Sequence, residues 1–134
     1  LKDSFETRIY LMFMHFSIFL IIYKYKKVIF PQQIYDGLFH AIENNLRELG
    51  LGDVAVNKKM KDLNKIFYNI LLKINNSDKQ LKINEKLIFK YFKQLNNLKD
   101  TKYQLFDSYF VRFYHFCFEL DPKIMLKEAI NFKT

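Results

Sequence analysis

The sequence predicts an all-α fold, a single-domain antiparallel bundle of five to six helices. Only 3 glycines and 2 prolines interrupt the 134 residues. No segment alternates apolar and polar residues for long enough to argue for a strand. Apolar residues recur instead at spacings of three and four, the period of a helix with one buried face. A chain of this length is about the size of one domain and buries enough surface to need neither a disulfide nor a structural metal.

The first helix is predicted from Asp3 to about Lys27, with Asp3 and Glu6 at capping-box spacing. Its run IYLMFMHFSIFLIIY, Ile9 to Tyr23, is broken only by His15 and Ser17. At 1.5 Å per residue this run is about 22 Å long, short of the roughly 30 Å core of a bilayer. With a histidine near its middle, it reads as a helix buried in a bundle rather than a membrane span. No small-residue cleavage site follows it, so it does not read as a signal peptide.

Pro31 suits the first turn of a second helix, whose apolar positions are Ile34, Leu38, Ile42, Leu46 and Leu49. Gly50 sits where a left-handed C-cap ends it, Gly52 lets the chain turn, and Asp53 is expected to cap the third helix. In that helix Val56, Met60, Leu63, Phe67, Ile70 and Ile74 step by four and three. Asn75 to Asp78 read as a turn, and Ser77 with Gln80 as the capping box of a fourth helix that buries Leu87, Ile88, Tyr91, Phe92 and Leu95. Thr101 and Gln104 open a fifth, strongly aromatic helix, and Asp121 before Pro122 starts a short last one.

The formal charge is +8, from 22 Lys+Arg against 14 Asp+Glu, which favours anionic partners such as RNA, acidic lipid headgroups or acidic proteins. The chain has 15 Phe and 9 Tyr but no Trp. So many rings imply a bulky core or a surface that recognises apolar partners. The stripe Phe106, Tyr109, Phe110, Phe113 and Phe116 is a candidate for either.

Catalytic chemistry finds little support. The single cysteine, Cys117, excludes an internal disulfide and a cysteine-rich zinc site. His115 lies two residues from it, which on a helix points the side chains to different faces, so Cys117 reads as buried and inert. His40 and Glu43 offer two ligands where a metal needs more. The segment GLGDVAVNKK follows a helix and lacks the glycine pattern of either nucleotide-binding loop. No metal or cofactor is expected. Lys58, Lys59, Lys61 and Lys65 follow a glycine-containing turn, as in a helix-turn-helix, but the face between them is apolar. They read as the solvated side of a packed helix; no DNA partner is expected, and phosphate contact to RNA stays open. His15, inside an apolar helix, must find a hydrogen-bond partner or cost stability.

The stretches NNLRELGLGD and VNKKMKDLNKIFYN resemble the ubiquinol-cytochrome c chaperone family, with Arg47, Gly50, Gly52, Asp53, Lys58, Lys59, Phe67 and Tyr68 matching its pattern. Upstream, Phe5 and His15 match the family's first helix. Asn57 stands where the family has a glycine in the basic cluster, and the family's tryptophan in the first helix is missing.

The resemblance implies a non-enzymatic assembly factor for respiratory complex III, acting on nascent or newly inserted cytochrome b with a small partner protein. It implies a place on the matrix side of the mitochondrial inner membrane, or on the cytoplasmic face of a bacterial one, near the ribosome and an anionic membrane surface. The candidate protein- or RNA-binding residues are His15, Arg47, Lys58, Lys59, Lys61, Lys65, Tyr109, Phe110 and Phe113, with Gly50, Gly52 and Asp53 as a structural turn. Two other readings stand beside it. One is a structural subunit that keeps this fold inside a large respiratory or ribosomal assembly; the other is an all-α enzyme acting on a hydrophobic substrate through His15.

Overall fold

The structure, a computed structural model, describes residues 4–77, 80–95 and 101–132. Among these are six α-helices: α1 (Phe5–Tyr25), α2 (Gln32–Glu48), α3 (Asp53–Lys73), α4 (Glu85–Tyr91), α5 (Thr101–Phe118) and α6 (Pro122–Glu128). The fold is the predicted all-α bundle with one addition, a short antiparallel hairpin of β1 (Ile74–Ser77) and β2 (Gln80–Ile83).

The hairpin corrects the reading of residues 75 to 80 as a turn and a helix start. Ile74 pairs with Ile83, Asn75 with Lys82, Asn76 with Leu81 and Ser77 with Gln80. Ile74 and Leu81 are buried and anchor one face, so the chain leaves α3 in an extended conformation. Four residues of alternation in β2 are too few to stand out in a sequence. The fourth helix therefore starts at Glu85, capped by Asn84, whose side chain accepts from the Lys86 amide at 2.8 Å. Asp78 lies outside the described residues.

Other boundaries shift by smaller amounts. Asp3 lies outside the described residues; Ser4 is the N-cap of α1, its hydroxyl accepting from the Thr7 amide at 3.1 Å. Asp53 is the first residue of α3 and Gly52 its N-cap, so Asp53 does not cap that helix. Gly52 is extended, a conformation open to any residue, and its left-handed freedom is not used. Thr101 is already helical, and the residue before it lies outside the described ones. Asp121 caps α6 as expected, accepting from the Lys123 amide at 2.9 Å.

Two helices end in the same motif. At the end of α2, Gly50 has φ 94, its amide bonds to the Arg47 carbonyl at 2.9 Å and the Leu51 amide to the Leu46 carbonyl at 3.3 Å. This is a Schellman motif with glycine at the left-handed position. At the end of α1, Lys27 has φ 58, with the Lys27 amide on Lys24 and the Val28 amide on Tyr23. There a lysine occupies the site that suits glycine, at a cost of about 1 kcal/mol.

Helix α1 packs on α3, α5 and β1, while α2 packs on α3 and α5 on β2. Phe13, Met14, Ile18 and Ile22 of α1 meet Val56, Leu63, Phe67 and Ile70 of α3 and Phe110, Phe113 and Tyr114 of α5 in one core. Of the apolar positions predicted for α2, Ile42 and Leu46 are buried, whereas Ile34 is exposed and Leu49, at the C-cap, is 62% exposed. Helix α1 is the one helix among the described residues long and apolar enough to cross a membrane by composition. Its buried side explains part of that character.

Candidate binding surfaces

The glycine turn between α2 and α3 is held by charge as well as by its cap. Arg47, in the last turn of α2, donates from one guanidinium nitrogen to Glu43 at 3.1 Å and from another to Asp53. Glu43 lies four residues earlier on the same helix face, and Asp53 opens the next helix. The arginine fork therefore ties the two helices across the turn. All three side chains are accessible, so the cluster sets an angle more than it adds stability. Glu43 also lines a groove with Asp36 and His40, but its carboxylate is already engaged.

His15 is half-buried and has partners on both ring nitrogens. Nδ1 lies 2.6 Å from the Leu11 carbonyl oxygen, and Nε2 lies 2.7 Å from the Tyr109 hydroxyl. A carbonyl only accepts, so Nδ1 carries the proton and Nε2 accepts from Tyr109. Burial lowers the imidazole pKa below its ordinary 6.5, against the opposing pull of the Leu11 carbonyl. The ring is neutral at pH 7, and both nitrogens are occupied. The phenol of Tyr109 is pushed up by its own burial.

The His15–Tyr109 pair lies on a half-open cavity of about 380 Å³ between α1, α5 and the chain after α6. Phe19, Phe113, Leu126, Ala129 and Phe132 complete its walls, and Ile130, 86% exposed, stands at its rim. The Phe132 ring packs on those of Tyr109, Phe113 and Phe116 at centroid distances of 5.4, 5.3 and 5.5 Å.

The candidates separate by position. His15, Tyr109 and Phe113 converge on this cavity. Phe110 does not: at 1% exposure it is core, together with buried Phe106, so at these two positions the stripe takes the core reading of the two left open for it. The reason is period: at position 110 the helix turns inward against α1, while Tyr109 sits at the edge. Cys117 is fully buried and its thiol is pushed up to about 12 by desolvation, while His115 is exposed on the other side of α5. Phe67 is fully buried among the rings of Phe13, Phe16, Tyr35 and Phe39. Tyr68 is exposed, with its hydroxyl 3.2 Å from that of Tyr35.

Lys58, Lys61 and Lys65 lie on the outer face of α3, with Lys59 half-buried beside them. They are far in sequence from the residues of the cavity and share none of its walls. Sequence reasoning missed Phe19, Leu126 and Phe132 as walls, because their meeting depends on where the chain goes after α6. It also missed Val54, Tyr68 and Leu72 as companions of the lysines, although their spacing carried that signal.

The described residues thus form a helical bundle with a half-open aromatic cavity and a basic outer helix face. Over residues 1–87 the chain matches the family described as Ubiquinol-cytochrome C chaperone, and it belongs to that family. The match spans α1 to α3, the hairpin and the start of α4; Arg47, Asp53 and His15 fall inside it, Tyr109 and Phe113 outside. No curated protein and no solved structure matched the chain.

Proposed function

We propose that this protein is a non-enzymatic assembly factor for respiratory complex III that holds newly made cytochrome b, working with a small partner protein. The observation that carries the reading is the half-open aromatic cavity at His15, Tyr109 and Phe113. A client destined for a membrane presents large apolar side chains before it is inserted. A cavity of about 380 Å³ walled by phenylalanines accepts such a side chain. Its polar pair is neutral and self-satisfied, so an apolar guest leaves no charge unpaired there. Family membership supports a client among the components of complex III, and in this reading the protein acts at the face of the inner membrane on which cytochrome b is made, in a mitochondrion or a bacterium.

The test uses the full chain, tagged in its native source, with Ile130→Glu at the rim as the variant. The wild type is expected to recover cytochrome b, and the variant to lose that recovery while its melting temperature is unchanged. Equal recovery by both would remove the cavity from client binding. Absence of cytochrome b from the wild-type eluate would overturn the assignment itself.

A further inference from the structure

The outer face of α3 carries a second surface. Val54, Lys58, Lys61, Lys65, Tyr68 and Leu72 follow at spacings of four, three, four, three and four. At 100° per residue they lie within about 40° of one line along the helix, and Val54 and Leu72 are about 27 Å apart. All six are exposed, Val54 at 85% and Leu72 at 75%. Among the described residues, none of the three lysines is in an ion pair with a carboxylate. The stripe is thus cationic in the middle and apolar at both ends, with a tyrosine between.

One end continues into a groove of about 520 Å³ between α1 and α3. Leu72 belongs to both stripe and groove, whose other walls include Leu20, Ile21 and Leu71, with Tyr25 and Lys24 on the α1 side. A wall of leucines with a lysine beside it presents the two chemistries of a lipid, acyl chain and phosphate, next to each other.

We infer that α3 lies flat on an anionic lipid surface, with Lys58, Lys61 and Lys65 at the headgroup phosphates and Leu72 with its groove against the acyl chains. A bilayer interface is the partner that takes both kinds of residue at once: lysines reach outward while apolar side chains enter the acyl boundary and tyrosine sits at headgroup level. A nucleic-acid backbone accepts the lysines but leaves exposed Val54 and Leu72 without a role. The surface shares no residue with the aromatic cavity and stands or falls apart from client binding.

The experiment is sedimentation of the full chain with vesicles of phosphatidylcholine alone or with phosphatidylglycerol added. Binding is expected to the anionic vesicles and to fall with salt. Each lysine replaced by glutamine should weaken partitioning about fivefold, and Lys58→Gln, Lys61→Gln and Lys65→Gln together on the order of a hundredfold. Leu72→Asp should weaken it as well, with circular dichroism checking that every variant is folded. No sedimentation of the wild type with anionic vesicles at low salt would overturn the inference. So would loss on lysine replacement without any effect of Leu72→Asp, accompanied by equal competition from single-stranded RNA, which would mark a nucleic-acid surface.

Discussion

Tyr109 donates its hydroxyl proton to Nε2 of His15 across 2.7 Å, joining α5 to α1 over 94 residues of sequence. The bond fixes the imidazole tautomer and seats a histidine inside the most apolar helix of the chain. Tyr109→Phe removes the donor and leaves Nε2 half-buried without it, so a loss of about 1 kcal/mol is expected in denaturant melts.

The same pair sets a pH dependence. Burial lowers the folded pKa of His15, so below the ordinary value of 6.5 the unfolded chain binds the proton more readily than the folded one. The stability His15 contributes is therefore full above about 6.5. It is lost as the pH falls from there through the lowered folded value. Ring titration of His15 by NMR, beside thermal melts from neutral to acidic pH, checks both halves; a folded pKa at or above 6.5 would refute the expectation.

Lys26 closes a different joint. Its ammonium donates to the main-chain carbonyls of Phe118 and of Leu120, the latter at 2.7 Å, and stands 5.0 Å from the centre of the Phe118 ring. Phe118 is the last residue of α5 and Leu120 lies two residues beyond it, at the end where the helix dipole also favours a cation. Lys26→Met keeps the stem and removes the charge, and a loss of about 1 to 2 kcal/mol is expected from equilibrium unfolding in urea.

The two left-handed caps predict effects of opposite sign. Gly50→Ala should cost about 1 kcal/mol, since a Cβ at φ 94 is strained even though the space beside it is open. Lys27→Gly should gain about 1 kcal/mol less the entropy that glycine adds to the unfolded chain. Calorimetry on the two variants separates these outcomes.

Ser17 is fully buried in α1, and its hydroxyl has no hydrogen-bond partner among the described residues. Ser17→Ala removes an unsatisfied polar group and improves helix propensity, so a gain of about 1 kcal/mol is expected in thermal melts. A loss would mean that the hydroxyl is satisfied in solution.

The sequence made the helices legible because each carries its own periodicity. Val56, Leu63, Phe67 and Ile70 are all fully or almost fully buried, as their spacing required. Gly50 announced its cap because glycine is the residue that conformation prefers; Lys27, in the same conformation, announced nothing. The hairpin was hidden by its brevity, and Ser77 misled because serine favours both caps and turns. The candidate surfaces divided along the same line. His15 drew attention by its polarity in an apolar helix and Tyr109 by its place in the aromatic stripe, but that the two meet depends on how α5 crosses α1. The lysines were visible, and their alignment with Tyr68 and Leu72 was implicit in spacings of three and four, yet exposure had to be seen in the fold.

The tie between α1 and α5 also orders events during synthesis. Residues 5 to 25 leave the ribosome before the other helices of the bundle and hold its greasiest segment, while Tyr109, Phe113 and the carbonyls that receive Lys26 come roughly a hundred residues later. Helix α1 cannot finish its burial until α5 has emerged. Contacts of such long span are slow to form, and the uncovered segment is prone to associate while it waits. A protein whose family is described by chaperone work thus passes through a nascent stage in which its own first helix needs shelter.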